Sequence, residues 1–199
     1  MTEKPAEKKH LPTGDEPPKG YEALSVNQED NGFKVSYVMF NHLARSEHAE
    51  IEALRKKALE VIDDYQGLTN EPLSLGSEVN IIKDADDENK MLALVYIDKK
   101  LVGYSLVIEG WPQPSKWLIQ HMIIDPDMRR QGIGTAIVHS IEQYALESEV
   151  AADAVYAIPL QESSRKFWQE LGYTVEVSRL FINLADTDQE FVVYCKALD

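Results

Sequence analysis

One short stretch of the sequence combines residue types that bind anions. It continues from an apolar run through a turn, two arginines and a pair of glycines: Asp125-Pro126, Arg129, Arg130 and Gly132-Ile133-Gly134. The residues after the glycines have helical spacing, so the loop should open a helix. A helix N-terminus has unpaired N–H groups and a partial positive charge, glycines let a phosphate approach, and arginines add charged donors. The stretch therefore predicts a pyrophosphate site.

Two other nucleotide-binding loops do not fit this stretch. A Rossmann dinucleotide site needs Gly-x-Gly-x-x-Gly, and the position of its third glycine holds Ile137. A Walker loop needs Gly-Lys-Ser or Gly-Lys-Thr, which the stretch lacks. The predicted pyrophosphate therefore belongs to another class of cofactor.

The charge of the chain narrows the choice of partners. Lys and Arg number 20 against 34 Asp and Glu, a formal net charge of −14. Such a surface repels a phosphate backbone, which argues against nucleic acid as a partner. The charge suits a cationic acceptor slightly better than an anionic one, although acidic chains are also simply soluble.

Cysteine content and hydropathy indicate a cytoplasmic protein. Cys195 is the one cysteine, so an intramolecular disulfide is excluded, and it suits a small core residue better than a nucleophile. Residues 1–18 lack the apolar segment of a secretory signal, and no apolar run is long enough for a membrane helix. We expect no membrane partner, and a monomer or a homodimer. The histidines other than His121 are not grouped as metal ligands, so no metal is expected. They are His10, His42, His48 and His139.

The N-terminal part of the chain predicts a tail followed by a strand and a helix. Residues 1–32 are rich in proline and charge and predict a flexible tail, or else an arm around Tyr21–Val26 that docks on the domain. The alternation of Phe33–Phe40 predicts a strand. Ser46 is the expected N-cap of a helix whose apolar face comprises Ile51, Leu54, Ala58, Val61, Ile62 and Tyr65. The segment Gly67–Ser77 is interpreted as a loop or short helix.

The rest of the chain alternates strands with helices. Strands are predicted at Met91–Ile97, Leu101–Ile108, Lys116–Ile124, Ala154–Ile158, Val175–Asn183 and Phe191–Ala197, and helices at Gln131–Glu147 and Ser163–Leu171. The short link Asp98-Lys99-Lys100 predicts an antiparallel hairpin between the first two of these strands. Together these elements predict a layered, mixed α/β fold whose sheet is mostly antiparallel and flanked by helices.

Two blocks of the sequence resemble the GNAT acetyltransferase superfamily. Met122–Thr135 is similar to its coenzyme A signature, Arg/Gln-x-x-Gly-x-Gly/Ala after a strand, which Arg129, Gly132 and Gly134 fill. Gln161–Tyr173 is similar to the later family block Asn-x-x-Ser/Ala-x-x-Phe-Tyr-x-x-Leu-Gly-Phe, and Val102-Gly103-Tyr104 to the hairpin strand before the signature. The resemblance implies a GNAT domain over residues 33–199, acetyl-CoA as the co-substrate, and direct transfer of the acetyl group to a small amine or a protein amine.

The resemblance also implies which residues contact the cofactor. The backbone of Met122, Ile123 and Ile124 would bind the pantetheine arm where two strands splay apart. The pyrophosphate would lie on the loop that follows, which comprises Arg129, Arg130, Gln131, Gly132, Ile133, Gly134 and Thr135. Gln161 takes the place of a coenzyme-contacting Asn of the family, and Ser164 lies in the same block.

The catalytic side chains depart from the family pattern. Trp168 stands where many members have a tyrosine general acid, and Leu118 where some have a glutamate base. An indole N–H cannot deliver a proton, so Tyr173, or else Tyr156, is the candidate acid. The candidate bases are His121, which strand alternation places on the opposite face from Gln120 and Met122, and Glu109 at the cleft mouth. These departures keep a second hypothesis open, a catalytically weak acyl-CoA-binding regulatory module.

Overall fold

The computed structural model of the protein describes residues 25–26, 33–39, 43, 45–59, 89–149, 151–159, 164–184 and 187–199. Its strands are β1 Ser25–Val26, β2 Phe33–Met39, β3 Lys90–Ile97, β4 Lys100–Glu109, β5 Lys116–Ile124, β6 Ala154–Ala157, β7 Thr174–Leu184 and β8 Thr187–Ala197. Its helices are α1 Arg45–Leu59, α2 Ile133–Glu147 and α3 Arg165–Glu170, with a 3-10 turn at Pro126–Met128. Within these ranges no helix is both long and apolar enough to span a membrane.

The strands form one mixed sheet in the order β1-β2-β3-β4-β5-β6-β8-β7. Neighbouring strands are antiparallel except β5 and β6, which are parallel. Parallel neighbours need a crossover connection, and α2 lies in the one that joins β5 to β6. The predicted fold class, a mostly antiparallel sheet with helices, is confirmed.

The two long helices lie on opposite faces of the sheet. On β3, Leu92 and Leu94 pack with Ile51 and Leu54 of α1. The alternate residues of that strand, Met91, Ala93 and Val95, pack in the cluster that contains Ile133, Ile137 and Ile141 of α2. Side chains of a strand alternate between faces, and each fully buried Leu or Ile contributes about 1.5–3 kcal/mol. This packing fixes the start of α2 beside the first residues of β4 and the last residues of β5.

Most predicted elements are present, with changes at their ends. Helix α1 begins at Arg45, so Ser46 lies inside its first turn and is not the N-cap, which corrects the expected boundary. Strand β8 begins at Thr187, earlier than the predicted Phe191, because β7 and β8 pair from Leu184 and Thr187 onward.

Several predictions concern residues outside the described ranges. Gly67–Ser77 lies there, as do Val61, Ile62 and Tyr65 of the predicted helix face. Most of the predicted tail also lies outside these ranges, but Ser25–Val26 pairs with the start of β2, as a docked arm would. The domain boundary at residue 33 stays a prediction.

Candidate functional site

The sheet forks between β5 and β6. The two strands pair only from Lys116–Ala154 to Ile119–Ala157, after which β6 ends while β5 continues to Ile124. Residues Gln120–Ile124 keep β4 on one side, and within the described ranges no strand lies on the other. An open strand edge presents N–H and C=O groups that an extended ligand with amide groups can pair with. The fork is therefore a candidate binding cleft.

A β-bulge in β5 lies where the fork begins. The Cα partners step from Leu106–His121 to Val107–Ile119, so Gln120 is an extra residue on β5. Bulges bend a strand and often occur beside active sites. Strict alternation through Gln120, which we assumed when placing His121 opposite it, therefore does not hold. The sequence contains no signal for the bulge, because its extra residue is not a glycine.

The loop after β5 ends in a helix N-terminus with no side-chain cap. Gly132 adopts a left-handed conformation with φ of 86° before α2, and no side chain caps the helix. The first helical hydrogen bond runs from the Ala136 N–H to the Gly132 carbonyl, at 2.9 Å. The N–H groups of Ile133, Gly134 and Thr135 are therefore not taken by a side-chain cap. This arrangement fits an anionic group such as a pyrophosphate.

Two glycines allow the elements around this loop to approach closely. A Cβ on Gly134 would lie 3.3 Å from Cζ of Phe167 in α3 and 3.4 Å from Cε of Met122. A Cβ on Gly103 of β4 would lie 2.9 Å from Cδ1 of Ile124, closer than side-chain atoms tolerate. The start of α2, helix α3 and the forked part of β5 therefore converge, which brings together both regions that the sequence predicts to bind the cofactor.

Asp125 holds the loop to the rest of the fold. Its buried carboxylate accepts hydrogen bonds from Lys57 of α1 at 2.5 Å and Lys100 of β4 at 2.9 Å. It also accepts from the Asp127 N–H at 3.1 Å, while the Asp125 N–H donates to the Val102 carbonyl at 2.8 Å. Burial alone would raise the pKa of Asp125, but the hydrogen bonds from the two lysines outweigh it and lower the pKa to about 2.

The sequence predicts only a turn at Asp125 and does not indicate this anchoring role. Its partners are far away along the chain, and nothing in the local pattern around Lys57 or Lys100 distinguishes them from other surface lysines.

The three long polar side chains of the loop, Arg129, Arg130 and Gln131, are exposed. Arg129 directs its Nε toward the Ile124 carbonyl at 3.4 Å, and Gln131 lies near the Met128 sulfur at 3.8 Å. Arg130 adopts a left-handed backbone conformation with φ of 63°. In the other predicted block, Ser164 is half-buried just before α3, and Gln161 lies outside the described residues.

His121 is buried under α1. It lies opposite Leu106, contacts the Tyr104 ring edge-on at 5.5 Å, and is 5% exposed. Burial first, and then the positive charge of Arg55, lower its pKa to about 3. Accepting a proton from an amine of pKa near 10.4 would then cost roughly 10 kcal/mol. The structure argues against His121 as the base.

Glu109 lies at the end of the sheet away from the fork. Its partner on β5 is Trp117, five residues before Met122, which is roughly 16 Å at about 3.3 Å per residue. Burial, and then the nearby Glu149, raise its pKa. The expectation that Glu109 reaches the cleft mouth does not fit this position.

Tyr173 and Trp168 form part of the core. Trp168 is 4% exposed and packs edge-on against Phe167 at 5.2 Å and Tyr173 at 5.1 Å. Burial first, and then the neighbouring Glu142, raise the pKa of Tyr173 well above its usual value. Glu142 is about 12 Å along α2 from Gly134 at 1.5 Å per residue. Tyr173 therefore lies against the middle of α2 and not at the loop, which argues against it as the acid.

Tyr156 is the candidate acid nearest the fork. It lies on β6 beside Leu118, one residue before the last pair of the β5–β6 ladder. Its ring is half-buried, with the Trp111 ring edge-on at 6.3 Å. Burial, and then Cys195 on the neighbouring strand, raise its pKa to about 12. The described part of the site thus offers backbone groups and positive charge, while His121 is buried beneath α1 and Glu109 and Tyr173 lie away from the fork.

More than half of the chain matches the model of one protein family. Residues 58–173 match the family model described as the acetyltransferase (GNAT) family. No curated protein sequence matches the chain.

Solved structures share the fold at low sequence identity. An acetyltransferase from Thermus thermophilus is 13% identical with a TM-score of 0.60, covering 82% of this chain and 97% of its own. The ribosomal-protein-S18-alanine N-acetyltransferase from Escherichia coli is 11% identical with a TM-score of 0.57, covering 83% and 94%. An aminoglycoside 6'-N-acetyltransferase complexed with coenzyme A is 16% identical with a TM-score of 0.56, covering 82% and 97%.

Proposed function

The chain belongs to the GNAT acetyltransferase family, and from this premise we propose that it transfers an acetyl group from acetyl-CoA directly to an amine. The observation that carries the proposal is the uncapped N-terminus of α2 next to the fork in the sheet. The N-terminus of α2 suits a diphosphate, and the open edge of β5 at the fork suits an extended arm that carries amide groups. Acetyl-CoA has both groups in one molecule.

The loop and the fork divide the cofactor contacts between them. The backbone N–H groups from Arg130 to Thr135 bind the diphosphate, with positive charge from Arg129 and Arg130. The open edge of β5 at Met122–Ile124 pairs with the pantetheine arm. Ser164, just before α3, borders the same cleft, and Gly134 is small because Phe167 and Met122 leave no room for a bulky side chain.

The chemistry then depends mainly on positioning. The thioester supplies the activated acetyl group, and a backbone N–H at the fork stabilises the negative charge that develops on its carbonyl oxygen. The amine must lose a proton to attack the thioester carbon, and water at the fork takes up that proton. The C–S bond then breaks, and because a thiol has a pKa of about 8.5, the departing thiolate needs little help from an acid. Of the two tyrosines considered as the acid, Tyr156 lies nearer the fork than Tyr173, and its pKa of about 12 keeps it protonated at neutral pH.

The acceptor that we propose is an amine, small or protein-borne, and preferably cationic. The support is the net charge of −14, which raises the local concentration of cations. We further propose a cytoplasmic protein, monomeric or homodimeric, that binds neither nucleic acid nor membranes and requires no metal.

A second candidate function is a catalytically weak acyl-CoA-binding regulator. The observation that favours it is the core position of Trp168, which fills the place of the usual acid, together with Leu118 in the place of the usual base. This candidate predicts cofactor binding without turnover.

A thiol-release assay over a panel of amines, paired with calorimetry, tests both candidates. The enzyme should release coenzyme A in proportion to one class of amine, and should bind acetyl-CoA in preference to ATP and NAD. Binding without release for every amine would favour the regulator. A preference for ATP or NAD would refute both.

A further inference from the structure

Tyr156 lies on the face of the sheet that is turned away from α2. Its neighbours along β6, Val155 and Ala157, pack in the cluster that contains residues of α2. Side chains of a strand alternate between faces, so the Tyr156 ring lies on the other face, next to the point where β5 and β6 separate. Since the diphosphate is assigned to the start of α2, the face that carries Tyr156 is left for the acceptor to approach the thioester.

The face around Tyr156 continues across the next two strands. Cys195 of β8 pairs with Tyr156, and Thr174 of β7 pairs with Cys195, so their side chains share this face. The Trp111 ring, from the turn after β4, reaches the Tyr156 ring and lies edge-on to it at 6.3 Å. Both rings are half-buried, so part of each is open to a ligand.

A β-bulge in β7 adds a carboxylate to this face. The Cα partners advance by two residues on β7 and by one on β8, so Glu176 is an extra residue on β7. Bulges redirect side chains and often occur next to active sites. Glu176 is exposed, and in the described part of the chain it has no ion-pair partner, whereas Asp153 nearby is paired with Lys116. The Glu176 carboxylate is therefore available to a cation.

The charge of Glu176 acts on both of its neighbours. Burial first, then Cys195, and then Glu176 raise the pKa of Tyr156 to about 12. Burial first, and then Glu176, raise the pKa of the Cys195 thiol against the lowering effect of its hydrogen bond with Tyr156. The carboxylate therefore lies close to the partly open rings. A carboxylate beside aromatic rings suits an alkylammonium group.

We propose that Glu176 is a specificity-determining residue that binds a second cationic group of the amine acceptor, beside the rings of Trp111 and Tyr156. The inference rests on the proposed function, because it places the acceptor next to a thioester in the fork.

The nitrogen held by Glu176 is distinct from the nitrogen that reacts. The reacting amine must be neutral to attack, whereas an ion pair with a carboxylate keeps an ammonium charged. The two positions are also separate, since β7 is two strands away from β6, roughly 10 Å at about 4.8 Å per strand. The acceptor class that fits is therefore an extended diamine, with one amino group at the fork and the other at Glu176.

The test compares Glu176→Gln with a matched control, Glu147→Gln. Both variants remove one exposed carboxylate, and Glu147 ends α2 on the opposite face of the sheet. Neither should lower the Tm by more than about 2 °C. The probes are hexamethylenediamine and hexylamine, which have the same carbon chain and differ in the second amino group.

The readout is the preference for the diamine, expressed as the ratio of the two kcat/KM values. In the unaltered chain this ratio should be about tenfold, because the rings shield an ion pair that would be weak if fully exposed. Glu176→Gln should reduce the ratio to the statistical advantage of a second reactive end, and Glu147→Gln should leave it unchanged. Glu176→Asp, which keeps the charge on a shorter side chain, should retain part of the preference.

Failure of this inference is distinguishable from failure of the proposed function. Acetylation of amines without a preference for the diamine, or an equal preference in Glu176→Gln and Glu147→Gln, would overturn the role of Glu176 and leave the proposed function standing. Absence of turnover with every amine would overturn both.

Discussion

Replacing Asp125 by asparagine tests whether the anchor under the loop positions the cofactor. The substitution keeps the shape and can still accept from the Asp127 N–H, but it removes the charge that holds Lys57 and Lys100. The pKa of Asp125 falls from 3.8 to about 2, and each unit corresponds to about 1.4 kcal/mol. The lysine side chains are 37% and 66% exposed, so solvent screening reduces the expected loss to about 1–2 kcal/mol of unfolding free energy.

The loss should depend on pH in a defined direction. Because the pKa of the folded state lies below the ordinary value, the charged carboxylate stabilises the fold fully above pH 3.8. That contribution disappears as the pH falls toward 2. The difference in unfolding free energy between Asp125→Asn and the unaltered chain should therefore be constant from pH 7 to 5 and shrink below pH 4.

Urea unfolding at several pH values, together with steady-state kinetics, provides the assay. We expect KM for acetyl-CoA to rise about tenfold in Asp125→Asn, with a smaller change in kcat, because the loop binds the cofactor but performs no chemistry. Asp127→Asn is the matched control: its carboxylate also contacts Lys57, at 2.6 Å, but is 78% exposed, so it should cost less than about 0.5 kcal/mol. Equal losses in the two variants, or an unchanged KM in Asp125→Asn, would refute the anchoring role.

Three further substitutions probe the cleft. Gly134→Asp should abolish acetyl-CoA binding in calorimetry, because it sets a carboxylate against the diphosphate. Gly134→Ala is the control: its Cβ would meet neighbours at 3.3 Å and 3.4 Å, and the variant should retain most of the affinity for acetyl-CoA. Equal affinities of the two variants for acetyl-CoA would speak against the site. Trp168→Tyr should leave affinity for acetyl-CoA unchanged and raise kcat, and an unchanged kcat would mean that the missing acid does not limit the reaction. His121→Gln should leave the pH profile of kcat/KM unaltered. The unaltered chain should lose unfolding free energy as the pH falls from 6.5 toward 3, because only the unfolded histidine takes up a proton in that range. His121→Gln should not show this loss.

The order of elements and the loop could be predicted because both are local. The uninterrupted apolar runs of β3 and β4 and the helical spacing after Gly134 predict their own elements. Proline, glycine and arginine types likewise identify the loop between Asp125 and Gly134, where each residue acts through its own backbone or charge.

The geometry of the site could not be predicted because it depends on distant pairings. Whether Glu109 faces the fork is decided by its pairing with Trp117, and the pKa of His121 by its burial beneath α1. The bulge at Gln120 and the ion pairs of Asp125 join segments that are remote in sequence. Residue types alone name such candidates, and only the folded arrangement selects among them.

A crystal structure of the chain with acetyl-CoA tests the central claim most directly. We predict diphosphate oxygens about 2.7–3.2 Å from the backbone nitrogens of Ile133, Gly134 or Thr135, with the pantetheine arm along Met122–Ile124 in the fork. A cofactor bound elsewhere, with the start of α2 free of phosphate, would contradict the account.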